Sequence, residues 1–471
     1  MKRKNGILPS ILALSFGVVS DLYGAGLEKS ILWSGELAGS AGASSISKMG
    51  GSQSLAFNPA GLGLDENMDF GLHLSPTYIE SSSPGYGFHH SKRANHWGVI
   101  PAVAFKFVPR FDFIKNSDFI KNIGVAFGIY PIGGSKSRWE SDEDLSNWNL
   151  PKSFKETQNS ELSITEYSVG MGIKIWDDFT FGMSYRMVES KGQMTTSSII
   201  RLKNFPTEPY MARKMDINDL KGVDPVNYRL GLMYNSPDSK WGAGVSYRSS
   251  SDIKMNGKLS GTDYHTELSA KINSQKLKTI PTPELEGARK IQSSPIDITI
   301  HFPSQFSYGF YYKPWMDHQF FFTHNVTFYS KTKKMLINAT AYDPVTKESS
   351  KLPDIEHHWK DMNNFRFGYE TTLLPIIILR AGYMYTDRVT NENYARDTFS
   401  APGVGHSFTV GAGKNFNQYW TVDLAYEYSR VSGEGRTTQR ITTSKFLEAA
   451  EREGRFTNKS HAAHLSVTYK Y

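Results

Sequence analysis

The sequence predicts an all-β fold, a transmembrane antiparallel β-barrel of about 14 strands. Three observations carry that expectation. Aromatic residues make up 13% of the chain, with 25 Tyr and 28 Phe, yet mean hydropathy is −0.43. From about Met68 onward the residues alternate apolar and polar with period two, so each strand shows one face to each of two solvents. The links between these segments are short and long by turns, the pattern of an outer-membrane barrel.

Each element follows in chain order. Lys2, Arg3 and Lys4 precede an apolar stretch, Ile7–Val19, and small residues follow near Gly24–Gly26. This reads as a secretory signal peptide over residues 1–25, too short to span a bilayer as a helix. Later in the chain no window offers the ~18 consecutive apolar residues of a spanning helix, so any membrane crossing must use strands. Residues 26–66 are rich in Gly, Ser and Ala but are punctuated by Ile46, Met49, Leu55, Phe57 and Leu62, which favours a plug over a flexible linker. Within it "SLAFNPAGLG" sets Asn58, Pro59, Ala60 and Gly61 in a rigid, uncharged turn.

The barrel is expected over 67–471. In "WGAGVSYR", Trp241, Ala243, Val245 and Tyr247 oppose Gly242, Gly244, Ser246 and Arg248. In "DFTFGMSYRM", Phe179, Phe181, Met183 and Tyr185 oppose Thr180, Gly182, Ser184 and Arg186. "YWTVDLAYEYS" and the terminal "HLSVTYKY" repeat the pattern and close on Tyr471. Small residues on the polar face suit a curved wall, and Tyr, Trp and Phe ending the apolar faces suit an interfacial girdle. Strands are expected to begin near Asp69, His96, Ile123, Leu162, Asp178, Tyr228, Trp241, Ile298, Gln319, Asn364, Ile376, His406, Trp420 and Ala463. "WDD", "NSPDSK", "KPWMDH" and "KNFNQY" are short turns, whereas Gly192–Asn227, Gly257–Pro295, Lys334–Met362 and Gly433–Ser460 read as long polar loops.

In order along the chain, several segments resemble the FadL family of outer-membrane transporters for long-chain fatty acids and other hydrophobic compounds. They are "SGELAGSAGASSISKMGGSQSLAFNPAGL", "NYRLGLMYNSPDSKWGAGVSYRSSSDIKMNGKL", "HFPSQFSYGFYYKPWMDHQFFF", "FRFGYETTLLPIIILRAGYMYTD" and "FTVGAGKNFNQYWTVDLAYEYS". The resemblance implies a small N-terminal hatch inside the lumen, with Asn58–Gly61 at a gate. It also implies passage through an apolar pocket and lateral exit where the third strand kinks, here at Gly128, Pro131, Gly133 and Gly134. The implied substrate is a hydrophobic small molecule, and the implied setting is the lipid and lipopolysaccharide of a bacterial outer membrane, with the protein a monomer. The family's external groove would fall in loops that are polar and basic here, "RLKNFPTEPYMARKMDINDLKGVDP" and "TDYHTELSAKINSQKLKTIPTPELEGARKIQSS".

Arg186, Arg229, Arg248, Lys313, Arg366 and Arg380 share the inward, polar parity with Glu370, Asp423 and Glu427. Two roles stay open for them: an ion-pair network stiffening the lumen, or a clamp on a substrate carboxylate. Other chemistry lacks support. The chain has no Cys, and its net charge of +7 is scattered, with no dense basic run for nucleic acid. His89, His90 and His96 are expected in one loop and His357 with His358 in another, and neither set has metal-ligand spacing. No nucleophile elbow, phosphate loop or cofactor motif is present, so no enzyme is expected. Two rivals from other classes are a general porin for polar solutes and a surface adhesin or receptor using the long basic loops.

Overall fold

The structure, a computed structural model, describes residues 32–85, 91–110, 112, 117–140, 150–202, 205–277, 286–343, 347–374, 376–395, 402–437, 447–450 and 452–471. The signal-peptide stretch and the pair His89 and His90 lie outside them.

Among the described residues the wall is a closed antiparallel barrel of 14 strands. The first six are β1 (Asp69–Pro84), β2 (Ser91–Phe107), β3 (Ile120–Glu140), β4 (Thr157–Ile175), β5 (Phe179–Leu202) and β6 (Phe205–Asn235). Strand β7 comes in two pieces, Trp241–Arg248 and Ser251–His265, and β8 in two more, Gly287–Phe302 and Gln305–Trp315, interrupted at Pro303. Strand β9 (His318–Thr327) resumes at Lys334–Asn338, and is followed by β10 (Met362–Leu374), β11 (Ile377–Thr386), β12 (Val404–Asn415), β13 (Trp420–Arg436) and β14 (Glu453–Lys470). Strand β1 pairs with β14 from Asp69↔Lys470 upward, and the Tyr471 N–H donates to the Met68 carbonyl at 2.8 Å. Closure removes the two end strands that an open sheet would show to hydrocarbon, the condition for strands to span a membrane.

The expected parity holds on the outside. Trp241, Phe181, Tyr185, Leu424 and Tyr426 are exposed, while Gly244, Ser246, Arg248, Asp423 and Glu427 face inward and are buried. Large apolar side chains standing in contact with solvent on nearly every strand form the band that lipid would cover.

The long loops are where the expectation fails. Most of 192–227 is strand, since β5 runs to Leu202 and β6 starts at Phe205, paired from Phe179↔Tyr234 up to Ile199↔Ala212 with register shifts after Arg186 and Gly192. Residues 257–295 continue β7, cross a helix, α1 (Glu267–Leu277), and return as β8. Strands β13 and β14 similarly pair through Arg436↔Glu453. The strands therefore rise beyond the apolar band on the loop side. There the parity reverses, with Asp252, Lys254 and Asn256 outward and Ile253, Met255 and Leu259 inward, so the lipid-facing apolar signature is lost although main-chain pairing continues.

Candidate functional site

The floor of the lumen is the hatch. Ser34 opens a short helical turn, Gly35–Gly39, by accepting from Leu37 N at 3.1 Å. Two 3-10 turns follow, Ser52–Ala56 and Pro59–Gly63. Pro59 suits the first position of the second turn because its missing N–H would have no partner there. Asn58 caps that turn, its Oδ1 accepting from Ala60 N at 3.2 Å. The Asn58 Nδ2 donates to Ile46 O at 2.7 Å and to wall carbonyls of Leu232 (β6) and Val245 (β7) at 3.3 Å each. The residue is fully buried, so one side chain both ends a hatch turn and ties it to two strands.

The inward glycines explain how a main chain fits so close to a wall. A Cβ at Gly172 (β4) would lie 2.6 Å from Gly63 N and 2.7 Å from Pro59 O. At Gly382 (β11) it would lie 2.7 Å from Ala41 Cβ, and at Gly411 (β12) 2.8 Å from Gly39 Cα. Gly124, Gly182 and Gly244 meet the Leu62, Pro59 and Ile46 main chain in the same way, and Gly231 makes room for the Asn58 side chain. Bending the wall was the expected reason for these small residues; direct contact with the hatch backbone is what the structure gives them. Wall hydroxyls complete the seat: Ser246 donates to Phe57 O at 2.7 Å and Thr323 to Ala43 O at 2.8 Å. At the hatch exit, buried Lys106 pairs with Asp65 at 2.9 Å.

Above the hatch the lumen changes character. One buried apolar cluster runs from Trp33, Leu55 and Leu62 past Ile164, Val188, Ile253 and Ile298 to Leu352 and Trp359 beneath the outer loops. Where it meets the hatch lies a small cavity, lined on its apolar part by Trp33, Ile46, Phe57, Tyr130 and Ile132. Arg229, Arg248, Arg366, Gln305, Ser307 and Asn325 bound the other side.

The predicted cations thus divide. Arg186 and Arg229 converge on Glu166 (β4): Arg186 Nε lies 2.7 Å from Oε2, and Arg229 Nη1 lies 3.0 Å from Oε1. Arg229 also donates to the hatch carbonyl of Leu55 at 2.8 Å. Arg248 lies over the Phe302 ring, 4.7 Å from its centroid, and donates to Pro303 O at 3.2 Å. Arg380 belongs to a lower network, bonded to Glu370 and Asp423 at 2.7 Å each, beside the first hatch turn. Lys313 sits at a short turn on the opposite end from the long strands, where its N–H bonds Lys240 O. Sequence reasoning missed Glu166, Tyr130 and Trp33. Glu166 was within reach, having inward parity and standing two residues from Ser168, the cross-strand partner of Arg186. Trp33 lies in the hatch, which has no period to read.

The four kink candidates also separate. Gly128 is paired on both sides, with Ala104 and with Ser168, so it lies below any break and faces Leu55 of the hatch instead. Pro131 and Gly133 flank a register shift against β4, and Gly134 has φ 147°. The β2–β3 ladder covers only Val103–Phe107 against Val125–Ile129. Above it β2 pairs with β1 and β3 with β4, leaving two facing edges bridged by the His96 side chain at the Lys136 backbone. His96 is thus part of β2 rather than of a loop. His357 stacks on Trp359 at 4.0 Å, and His358 is exposed. Among the described residues no group of three or more His, Asp or Glu is placed to hold a metal ion.

A family model described as outer membrane protein transport protein (OMPP1/FadL/TodX) matches residues 34–471. The chain belongs to this family. It is therefore an outer-membrane transport channel of the FadL/TodX kind, for hydrophobic compounds, and not an enzyme. Solved structures give the same fold. A Pseudomonas aeruginosa FadL homologue superposes with a TM-score of 0.71 at 13% identity, covering 94% of this chain and 99% of its own. The P. putida toluene transporter TodX gives 0.65 at 16% identity, covering 96% and 99%. The Ralstonia pickettii toluene transporter TbuX gives 0.59 at 15%, covering 92% and 98%. At such identities the likeness is one of fold. No curated protein matches the sequence.

Proposed function

We propose that this FadL/TodX-family channel takes up long-chain fatty acids passively, holding the tail in the apolar upper lumen and the carboxylate against the arginines of the cavity floor. The observation that carries the reading is the meeting of an unbroken apolar cluster with Arg229, Arg248 and Arg366 at one cavity. Glu166 holds Arg186 and Arg229, and the carboxylate is assigned to Arg248, which lines the cavity beside the Phe302 ring.

Magnitudes divide the work. A sixteen-carbon chain at about 0.8 kcal/mol per methylene gains on the order of 10 kcal/mol from burial. A charge-assisted hydrogen bond adds about 1.5–3 kcal/mol. Affinity comes from the lumen, and the cation selects acids over neutral oils. The hatch, seated backbone to wall, bars the straight aqueous route that a general porin would need. Exit runs sideways between β2 and β3, where the ladder stops at Val103↔Ile129. At about 2.5 Å of height per tilted residue this lies roughly 10 Å above Phe107, so the opening would begin near the middle of the apolar band. Because two relatives are named toluene transporters, a small aromatic hydrocarbon against Trp33, Phe57 and Tyr130 is the second reading.

The test is Arg248→Gln. Palmitate affinity of the purified protein should fall about 10- to 100-fold, while hexadecane and toluene binding stay unchanged. Equal weakening of all three would remove the carboxylate role.

A further inference from the structure

The floor of the cavity and the end of the β2–β3 ladder meet in one side chain, Tyr130. It follows Ile129, the last β3 residue paired to β2, and precedes Pro131 at the register shift. From Tyr130 onward β3 is laddered to β4 alone. Its phenol reaches Glu166 Oε1 at 2.7 Å and Ser168 Oγ at 3.0 Å, and accepts from Arg229 Nη1 at 3.3 Å. Its ring stacks on Trp33 of the hatch at 5.6 Å, and the residue is 1% exposed. No other residue of the β3 segment beside the gap joins a hatch ring, the cavity wall and the Glu166 cluster in this way among the described residues.

We propose that Tyr130 couples the headgroup site to the lateral opening: a carboxylate entering the cavity draws Arg229 away from Tyr130 and Glu166 and so frees the β3 edge. The inference rests on the fatty-acid reading above. Arg229 Nη1 is shared among Tyr130, Glu166 and the Leu55 carbonyl, and an anion placed against the guanidinium competes for those same protons. Released from Arg229, the phenol hydroxyl keeps only its bonds to β4 and the ring its stacking on Trp33, and the segment that β2 does not hold gains freedom. A ligand shifts an equilibrium only by its differential affinity for the two states. A neutral hydrocarbon of equal length makes no such bond, so it fills the lumen without opening the wall. Tyr130 acts through Arg229 and the strand rather than on the substrate, which makes it a positioning residue.

The test uses Tyr130→Phe, which keeps the ring and its stacking and removes only the hydroxyl. The chain has no cysteine of its own, so Asn95→Cys and Arg138→Cys, exposed on either edge of the gap, give a clean spin-label pair. In the otherwise wild-type protein in lipid vesicles, palmitate should lengthen the label distance and hexadecane should not. In Tyr130→Phe the longer distance should be present without ligand, and the palmitate-to-hexadecane uptake ratio should fall several-fold. Ser168→Ala, which leaves the Tyr130–Glu166 and Tyr130–Arg229 bonds in place while removing the Ser168 hydroxyl from both Tyr130 and Glu166, should give a smaller change in the same direction, and heat-modifiable migration confirms that each variant is folded. If Tyr130→Phe binds palmitate normally and its label distance responds as in wild type, the coupling role is overturned. If the wild-type protein itself binds palmitate no better than hexadecane, the fatty-acid reading fails first and takes this inference with it.

Discussion

The lower and upper halves of the lumen are walled by the same strands with the same alternation, yet they are filled by opposite means. Below, inward positions are Gly, Ser and Thr, and the hatch main chain lies directly on the sheet, its carbonyls taken up by wall hydroxyls. Above, inward positions are Ile, Leu, Val and Met, and side chains meet side chains. A floor built from backbone contacts tolerates no added atom. A wall of branched side chains can part around a guest by changing rotamers. The difference teaches that residue size on the inward face, rather than polarity, separates plug from conduit in this barrel.

The sharpest way to break that comparison is to add side chain in the lower half. Gly182→Val would drive carbon into the Pro59–Ala60 backbone, and we expect a loss beyond the about 1–3 kcal/mol of ordinary overpacking. The measurement is the folded, heat-modifiable fraction and the denaturant midpoint in detergent. A midpoint within the scatter of wild type would mean that the glycines merely bend the wall.

A change of polarity in the upper half should act on ligand and spare the fold. Ile298→Asn places an uncharged amide in the apolar cluster, and palmitate affinity should drop about 10- to 100-fold, in line with about 1–3 kcal/mol for an uncompensated polar group. Fluorescence titration reads it, and the hatch should remain seated. Unchanged affinity would place the tail elsewhere.

The smallest effect belongs to the joint between the halves. Asn58→Ala removes a cap, worth about 0.5–2 kcal/mol, together with the bonds to Ile46, Leu232 and Val245, while Pro59 and the seating of Gly172 and Gly182 remain. Barrel assembly should survive and fatty-acid uptake should fall. Collapse of assembly would instead make the Asn-Pro-Ala turn a folding element with no gating part.

By itself the sequence determined the number of wall strands, their inside and outside faces, the short turns and the closure of the sheet. The reason is local: where one face meets lipid and the other the lumen, every second residue answers to a different solvent, as Trp241 and Gly244 or Leu424 and Asp423 do. That signal stops where the lipid stops, so the upper parts of β5 to β8 read as loops although they are paired strands. Inward parity marked Arg186, Arg229 and Arg248 as lumen residues but could not say what they touch. Glu166 beside two of them, the carbonyl of Leu55 on Arg229 and the ladder ending at Ile129 all depend on contacts between distant stretches of chain. Only the closed barrel with its hatch in place decided these, because a hydrogen bond needs a partner at a distance and an angle, and sequence spacing across strands and hatch sets neither.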